Sequence, residues 1–319
     1  MPYNYATHNK LLSKRGCMKL RELHYFVEVV RNNGFGRATD KLYVTQPAIS
    51  RAIKQLEGEL GGELLIRDPK GVRLTERGRI LFRHAENMLQ QERNLHRELL
   101  DIGEEISGTL RVGLPPVISS TYFPQVILYF RNRCPLVELE IIEIPTTELE
   151  RALQEGKVDI AAGILPLESQ NYKTQLFATD SLVLVVPNTH LLANKSSVTL
   201  PEFANEPFIQ FTESFKINEL ILCAFGLYGL TPKVVGRSSN FDLVTAMIHS
   251  GMGVSLLPGS IWKDNTASVF TTIPVIQPPL LYDLALIRRS GSFVSRSCQA
   301  WIDVSAEVIG FTPEPDFGQ

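Results

Sequence analysis

One stretch constrains the chain more than any other. From Leu81 onward, apolar residues recur in alternating steps of four and three: Leu81, Ala85, Met88, Leu95, Leu99, Ile102 and Ile106, with Glu92 as the polar exception. That is a heptad stripe sustained over about three and a half repeats. Only a continuous helix keeps such a stripe on one side. The stripe is narrow and its flanks are charged, so a helix that pairs with a second copy is the favoured reading. The alternative is a single amphipathic helix lying on its own core. Either way the stripe divides the chain, because the patterns before and after it differ in kind.

Before it lie three helical patterns. Leu20, Leu23, Phe26, Val27 and Val30 form the first, and Gly34 and Gly36 interrupt it. A short helix runs through Ala38 and Leu42. Thr45 is an N-cap candidate for the third, and Pro47 is tolerated in a first turn. Ile49, Ile53, Leu56 and Leu60 make its apolar stripe, with Pro47, Ser50, Arg51 and Lys54 opposite and Gly61-Gly62 at its end. Two short strand-like runs, 64–67 and 72–74, flank a turn at Asp68-Pro69-Lys70-Gly71. Three helices and a basic hairpin describe a winged helix-turn-helix, with Thr75 placed to cap the long helix.

After Gly108 the pattern alternates strand and helix, which implies βαβ units and a parallel sheet. Strand-like runs at 110–113, 136–144 and 160–163 fall in a first half. Runs at 182–186, 208–211, 234–235 and 254–257 fall in a second. A late strand at 284–287 and a helix at 294–309 return to the first half, with crossings near 165–178 and 274–280. The fold class is therefore α/β: a winged helix-turn-helix, a long linker helix, and a two-lobed body like that of periplasmic binding proteins. The boundaries read as a leader at 1–17, a DNA-binding head at 18–75, a linker and dimerisation helix at 76–107, a body at 108–310, and a loose tail at 311–319. Lobe 1 takes about 108–165 and 278–310, and lobe 2 about 178–275. A cleft between the lobes is the natural ligand site.

Charge agrees with this division. Residues 18–78 carry 11 Lys/Arg against 8 Asp/Glu, a net of +3, whereas 79–319 carry 18 against 26, a net of −8. A basic head on an acidic body suits nucleic-acid contact by the head. No apolar run approaches the roughly 20 residues that span a bilayer, so no membrane role is expected. The leader holds Lys10, Lys14 and Arg15 without a long apolar core, unlike a signal peptide. The four cysteines, Cys17, Cys134, Cys223 and Cys298, lack Cys-x-x-Cys or zinc-ligand spacing. Reduced thiols, no metal, no cofactor and a cytoplasmic location are the expectations.

Specific motifs carry a resemblance. Leu23-His24-Tyr25-Phe26, Ala38-Thr39-Asp40-Lys41-Leu42, Thr45-Gln46-Pro47-Ala48-Ile49-Ser50-Arg51-Ala52-Ile53, Leu56-Glu57-Gly58-Glu59-Leu60-Gly61 and Leu74-Thr75-Glu76-Arg77-Gly78 follow one another in the head. The body adds Gly113, Gly156-Lys157-Val158-Asp159-Ile160 and Ser250-Gly251-Met252-Gly253-Val254-Ser255-Leu256-Leu257-Pro258. From residue 18 to about 310 the chain resembles the LysR-type transcriptional regulators. Gly62-Glu63 departs from the bulkier pair usual there, which could loosen the wing, and the leader has no counterpart.

A recognition helix needs an apolar face for its own domain and a polar face for the major groove. Gln46 can pair with an adenine edge and Arg51 with guanine. Thr45 and Ser50 suit phosphate or base, Pro47 shares their face, and Lys54 suits phosphate. In the wing, Arg67, Lys70 and Arg73 are phosphate or minor-groove candidates. Paired heads would read an interrupted inverted repeat on double-stranded DNA. The resemblance further implies homotetramers that bend it. In the body, Val117, Ser119, Ser120, Thr146, Thr147, Thr212, Asn240 and Phe241 are the candidates to hold an effector. The expected effector is a small, rather apolar metabolite, a carboxylate held by hydroxyls and backbone N–H groups. For each hydroxyl the competing role is a local cap or turn.

The residues give less support to three other classes. An enzyme lacks support: the histidines His24, His84, His96, His190 and His249 are scattered, and no nucleophile-elbow, Walker or Rossmann glycine pattern is present. A transport-type binding protein would suit the body but not the head. A thiol-based redox regulator of the same family is the alternative function, although only Cys223 falls in the second half-domain.

Overall fold

A computed structural model describes residues 18–68, 71–100, 102, 105–262, 269–315 and 317. The chain divides into two units at residues 99 and 100, and each is taken by itself.

The first unit opens with α1 (Leu20–Arg31), α2 (Phe35–Leu42) and α3 (Gln46–Leu60). Leu23, Phe26 and Val27 of α1 meet Ile49, Ile53 and Leu56 of α3 in a closed core with Ala38. Leu20 and Leu60, at the outer ends of the two expected stripes, are exposed instead. A buried carboxylate, Glu22, accepts the Lys19 backbone N–H at 3.2 Å and so satisfies one free donor at the start of α1. Tyr43 takes the left-handed conformation, φ 51°, to turn the chain into α3. Gly61 does the same at the far end, φ 72°, a conformation costly to a side chain.

The wing pairs β1 (Leu65–Asp68) with β2 (Gly71–Leu74), Leu65 opposite Leu74 and Asp68 opposite Gly71. It is tied back to the helices by the Val72 N–H, which donates to Asn33 Oδ1 at 3.0 Å. The Gly62-Glu63 pair does not leave a gap. A side chain at Gly62 would stand 3.1 Å from Arg77, which uses the space to donate to the Leu60 carbonyl at 3.2 Å.

Helix α4 (Glu76–Leu100) begins on Thr75. The Thr75 hydroxyl accepts from Gly78 N–H at 3.0 Å and donates to the Glu63 carbonyl at 2.7 Å. Gly78 lies so near the wing that a Cβ would sit 2.1 Å from the Leu64 carbonyl oxygen. This close approach explains why a glycine closes the Leu74–Gly78 motif. Leu81, Ala85 and Leu89 of α4 complete the head core. Arg31 at the end of α1 reaches Glu86 at 3.1 Å. Further along the stripe, Met88, Leu95 and Leu99 are exposed. The heptad pattern therefore joins two environments. The helix also ends at Leu100, earlier than the expected 107. Ile106 lies beyond it and packs on the core of the second unit.

That second unit is built on one curled sheet in the order β4-β3-β5-β12-β6-β11-β7, with β10 also on β6. The first lobe holds β3 (Gly108–Leu114), β4 (Val137–Glu143) and β5 (Ile160–Ile164), mutually parallel, and β12 (Leu281–Arg289), antiparallel to β5. Its helices are α5 (Pro116–Tyr122), α6 (Pro124–Arg133), α7 (Leu149–Gln154) and α11 (Arg296–Ile309). Trp301 of α11 stacks on Phe123 and meets Phe130 edge-on, with ring centroids 5.9 and 5.3 Å apart. Asp159 fastens β5 to β3 by accepting the Arg111 N–H at 3.0 Å.

The second lobe contains β7 (Val198–Thr199), β8 (Pro207–Phe211), β9 (Lys233–Ser238), β10 (Ser255–Pro258), β11 (Phe270–Gln277), and helices α8 (Leu200–Phe203), α9 (Ile217–Leu227) and α10 (Phe241–His249). The Ser250–Pro258 motif is explained here. Gly251 is left-handed, φ 79°, and a Cβ on Gly253 would stand 2.4 Å from the Pro207 carbonyl oxygen. The chain packs closely there because Val254 N–H donates to that same oxygen at 2.8 Å.

Beyond the sheet itself, which is mixed rather than parallel because β12 runs antiparallel to two neighbours and β10 and β11 are paired antiparallel as well, three features depart from the sequence expectation. The strand expected at 182–186 is the far half of a single long strand, β6 (Tyr172–Pro187). Residues 172–181 pair with β12 and 182–187 with β10 and β11, so one strand serves both lobes. A second departure is β11, which occupies a stretch assigned no strand. The third concerns residues 311–315 and 317, which are docked rather than loose. Phe317 is buried, its carbonyl accepts from the buried Arg288, and that guanidinium lies 5.5 Å from its ring centroid. Gln175 accepts from Glu314 N–H at 2.5 Å and donates to the Thr312 carbonyl at 3.3 Å.

Candidate functional site

Two sites follow from this architecture, one in each unit. In the first, the burial of Ile49, Ile53 and Leu56 fixes how α3 is rotated. Thr45, Gln46, Pro47, Arg51 and Lys54 are consequently exposed together, with Ser50 half-buried at their edge. Thr45 holds the N-cap position with extended backbone, φ −74° and ψ 147°, yet its hydroxyl makes no cap hydrogen bond. Arg51 Nε rests on the Pro47 carbonyl at 3.3 Å, a weak tether for an exposed guanidinium. In the wing, Arg73 Nε meets Asp68 at 3.2 Å. Arg67 lies in β1, but its side chain and the whole of Lys70 lie outside the described residues.

The second site is the cleft between the lobes. Its narrow part encloses a cavity of about 40 Å³. Val117, Ile118, Phe211, Phe215, Ile217 and Leu284 make it mainly apolar. Of the sequence candidates, Val117 and Thr146 line it. Val117 also borders a wider, more polar recess with Ser120, Asn240, Phe241, Glu143 and Asp242. Ser119, Thr147 and Thr212 line neither.

Local bonding absorbs most of the candidate hydroxyls. Ser119 donates to the Pro116 carbonyl at 2.7 Å and Ser120 to the Val117 carbonyl at 3.2 Å. Thr212 and Ser214 share a 3.2 Å contact, while Thr147 donates across the cleft to the Ser214 carbonyl at 3.2 Å. Asn240 caps α10 by accepting from Leu243 N–H at 3.0 Å.

The polar groups of the narrow cleft were missed from the sequence. Asp180, at the point where β6 leaves one lobe for the other, is buried and accepts four hydrogen bonds. Oδ1 takes Ser181 N–H at 2.7 Å and Ser260 N–H at 3.2 Å; Oδ2 takes the Ser260 hydroxyl at 2.5 Å and the Tyr282 hydroxyl at 2.8 Å. Tyr122 lines the same cleft. Burial, reinforced by the Asp180 charge and the hydrogen bond to it, pushes the Tyr282 hydroxyl far above the usual tyrosine range. Burial likewise raises Tyr122. At the rim, half-buried Lys216 donates to the Pro166 carbonyl across the cleft. Nothing in the spacing of an isolated aspartate, serine and tyrosine drawn from three distant segments announces such a cluster.

Cys134 and Cys298 are buried and Cys223 is exposed, and none of the three is in a disulfide; Cys17 lies outside the described residues. No group of three or more metal-ligating side chains occurs among the described residues.

A helix-turn-helix head followed by a two-lobed ligand-binding body defines a class of DNA-binding regulator. Residues 20–79 match the model of the bacterial regulatory helix-turn-helix protein, lysR family, and residues 103–310 that of the LysR substrate binding domain. The HTH-type transcriptional regulator YwbI of Bacillus subtilis is 34% identical over 286 residues, covering 90% of this chain and 95% of that protein. CatR of Pseudomonas putida is 29% identical over 294 residues, covering 91% and 100%. Among solved structures, a full-length OxyR variant from Pseudomonas aeruginosa superposes with a TM-score of 0.67 at 26% identity, covering 92% and 95%. Full-length BenM gives 0.59 at 26%, covering 94% and 100%. The chain belongs to the LysR family of transcriptional regulators.

Proposed function

We propose that this regulator reads specific DNA sequences through α3 and is modulated by a small molecule bound between the lobes of its body. The observation that carries the first half is the exposed face of Gln46, Arg51 and Lys54, set opposite the buried Ile49, Ile53 and Leu56. Gln46 and Arg51 are the base-reading residues, and Lys54, Arg67, Lys70 and Arg73 engage phosphates or the minor groove. Two copies pair through the exposed stretch of α4 around Met88, Leu95 and Leu99, so the site is an inverted repeat. Pairs of dimers then bend the duplex. No helix among the described residues is long and apolar enough to cross a membrane, and the protein works in the cytoplasm, where its DNA lies.

The effector is a small, largely apolar carboxylate. The apolar lining of the narrow cleft supports the body of such a molecule. Because the nearby hydroxyls already bond locally, Lys216 at the rim, rather than Ser119 or Thr147, supplies the counter-charge. An effector acts only as far as it prefers one arrangement of the lobes.

The test is a salt titration of binding to the DNA upstream of the protein's own gene, against unrelated competitor DNA. Wild type should bind tightly and lose affinity steeply with salt. Arg51→Ala should lose about 1–3 kcal/mol of discrimination while keeping most of its binding to unrelated DNA. Equal discrimination by wild type and Arg51→Ala would refute α3 as the reader.

A further inference from the structure

The hydrogen-bond order around Asp180 determines what the deep end of the cleft can accept. We propose that this end takes an uncharged hydrogen-bond donor on an apolar body, a phenolic or alcoholic hydroxyl or an N–H, and rejects a second anion, with Asp180 as the specificity-determining residue. This rests on the reading of the cleft as the effector site.

The number of hydroxyl protons around Asp180 decides what the cavity offers. Asp180 is an acceptor at both oxygens, and all four of its bonds come from groups of this chain: two backbone N–H groups, the Ser260 hydroxyl and the Tyr282 hydroxyl. Tyr282 and Ser260 each own one hydroxyl proton, and both are spent on Asp180. Two hydroxyls bordering one cavity thus point their protons at the carboxylate and leave their lone pairs to the cavity. A ligand atom arriving there meets acceptors and a buried negative charge.

A hydroxyl or N–H on the ligand completes this order by donating to a tyrosine oxygen. A carboxylate finds no free proton on the Tyr282 and Ser260 hydroxyls and stands beside a charge that little water screens. The charged and titratable side chains lining the narrow cleft are Asp180, Tyr122, Tyr282 and Lys216. Only Lys216 is cationic, and it is the more exposed, bordering a second recess outside the cleft as well. An anionic ligand group therefore belongs at the rim and a neutral donor at the depth.

Para-hydroxybenzoate and terephthalate share a ring and one carboxylate for Lys216, and differ only at the far end. Calorimetric titration of the full-length protein at millimolar ligand should show para-hydroxybenzoate binding at least about tenfold tighter than terephthalate, the scale of one hydrogen bond to a buried group. Asp180→Asn keeps an acceptor for the backbone N–H groups but adds a donor and removes the charge. It should narrow or invert the preference. Tyr282→Phe, a milder change, should weaken para-hydroxybenzoate about tenfold and leave benzoate unchanged. Terephthalate binding as well as para-hydroxybenzoate, no binding of para-hydroxybenzoate, or an order unmoved by both variants would each overturn the proposal. Val117→Trp, which fills the cleft, separates the two failures. Binding that survives it refutes the cleft as the site. Binding that it abolishes, with the order insensitive to Asp180→Asn and Tyr282→Phe, refutes only the assignment of the deep end.

Discussion

The junction between wing and linker helix is small enough for its energetics to be worked through. Thr75 caps α4 with the oxygen that accepts from Gly78 N–H and holds the wing with the proton donated to the Glu63 carbonyl. Thr75→Ala removes both. Loss of an N-cap acceptor costs about 1 kcal/mol. The donated bond is exposed, so water replaces part of it and its loss adds about 0.5 kcal/mol. The sum, about 1.5 kcal/mol, corresponds to a fall of roughly 6–12 °C in the melting temperature of a unit this size. Thr75→Ser keeps both bonds and should melt within about 2 °C of wild type, since surface changes that spare such features are nearly neutral. Differential scanning calorimetry of the full chain reads both shifts in the transition assigned to the head. If Ala and Ser at this position melt together, the hydroxyl does not couple wing to helix and the reasoning fails.

Other outcomes follow from the body. Gly253→Ala places a methyl against the Pro207 carbonyl at 2.4 Å, so it should destabilise the second lobe by about 2 kcal/mol or more, read as a lower urea midpoint. Removal of residues 311–319 uncovers Arg288 and takes two partners from Gln175. A destabilisation of about 2–3 kcal/mol is expected, a fully buried aromatic being worth that much, and an unchanged urea midpoint would show the docked end to be dispensable. The folded-state pKa of Tyr282 is raised above its unfolded value. Its contribution to stability is therefore complete below pH about 10 and declines only as pH rises beyond that. A spectrophotometric titration should show wild type and Tyr282→Phe releasing the same number of phenolic protons until the protein unfolds. An extra early proton from wild type would contradict the buried pairing.

The head was legible from the sequence because its information is local. Helical periodicity put Ile49, Ile53 and Leu56 on one side of α3 and thereby placed Gln46, Arg51 and Lys54 on the other. Leu20 and Leu60 strayed because they sit at helix ends, where a stripe runs past the core it serves. The heptad read through Ile106 for a similar reason: spacing continues past Leu100, but the residue after the turn packs on another unit. The ligand cleft was barely legible. Asp180, Ser260 and Tyr282 are far apart along the chain, and β6, whose middle carries Asp180, was itself seen only in its second half. The hydroxyls chosen instead were those near strand ends, and local carbonyls had the prior claim on Ser119 and Ser120. Gly62 and Gly78 gave their reasons only once Arg77 and the Leu64 carbonyl were beside them.

The shared strand has a mechanical consequence. A two-lobed body joined by loops can swing open like a door, with the loops absorbing the motion. Here β6 is hydrogen-bonded along its whole length, to β12 in one lobe and to β10 and β11 in the other. It behaves as a torsion bar clamped at both ends. The lobes can change their relation mainly by twisting it, which keeps the amplitude small and spreads the strain over many peptide units. Asp180 sits at mid-span, and the side chains that grip it, Tyr282 and Ser260, come from the two lobes. A molecule held there would act on β6 as a torque.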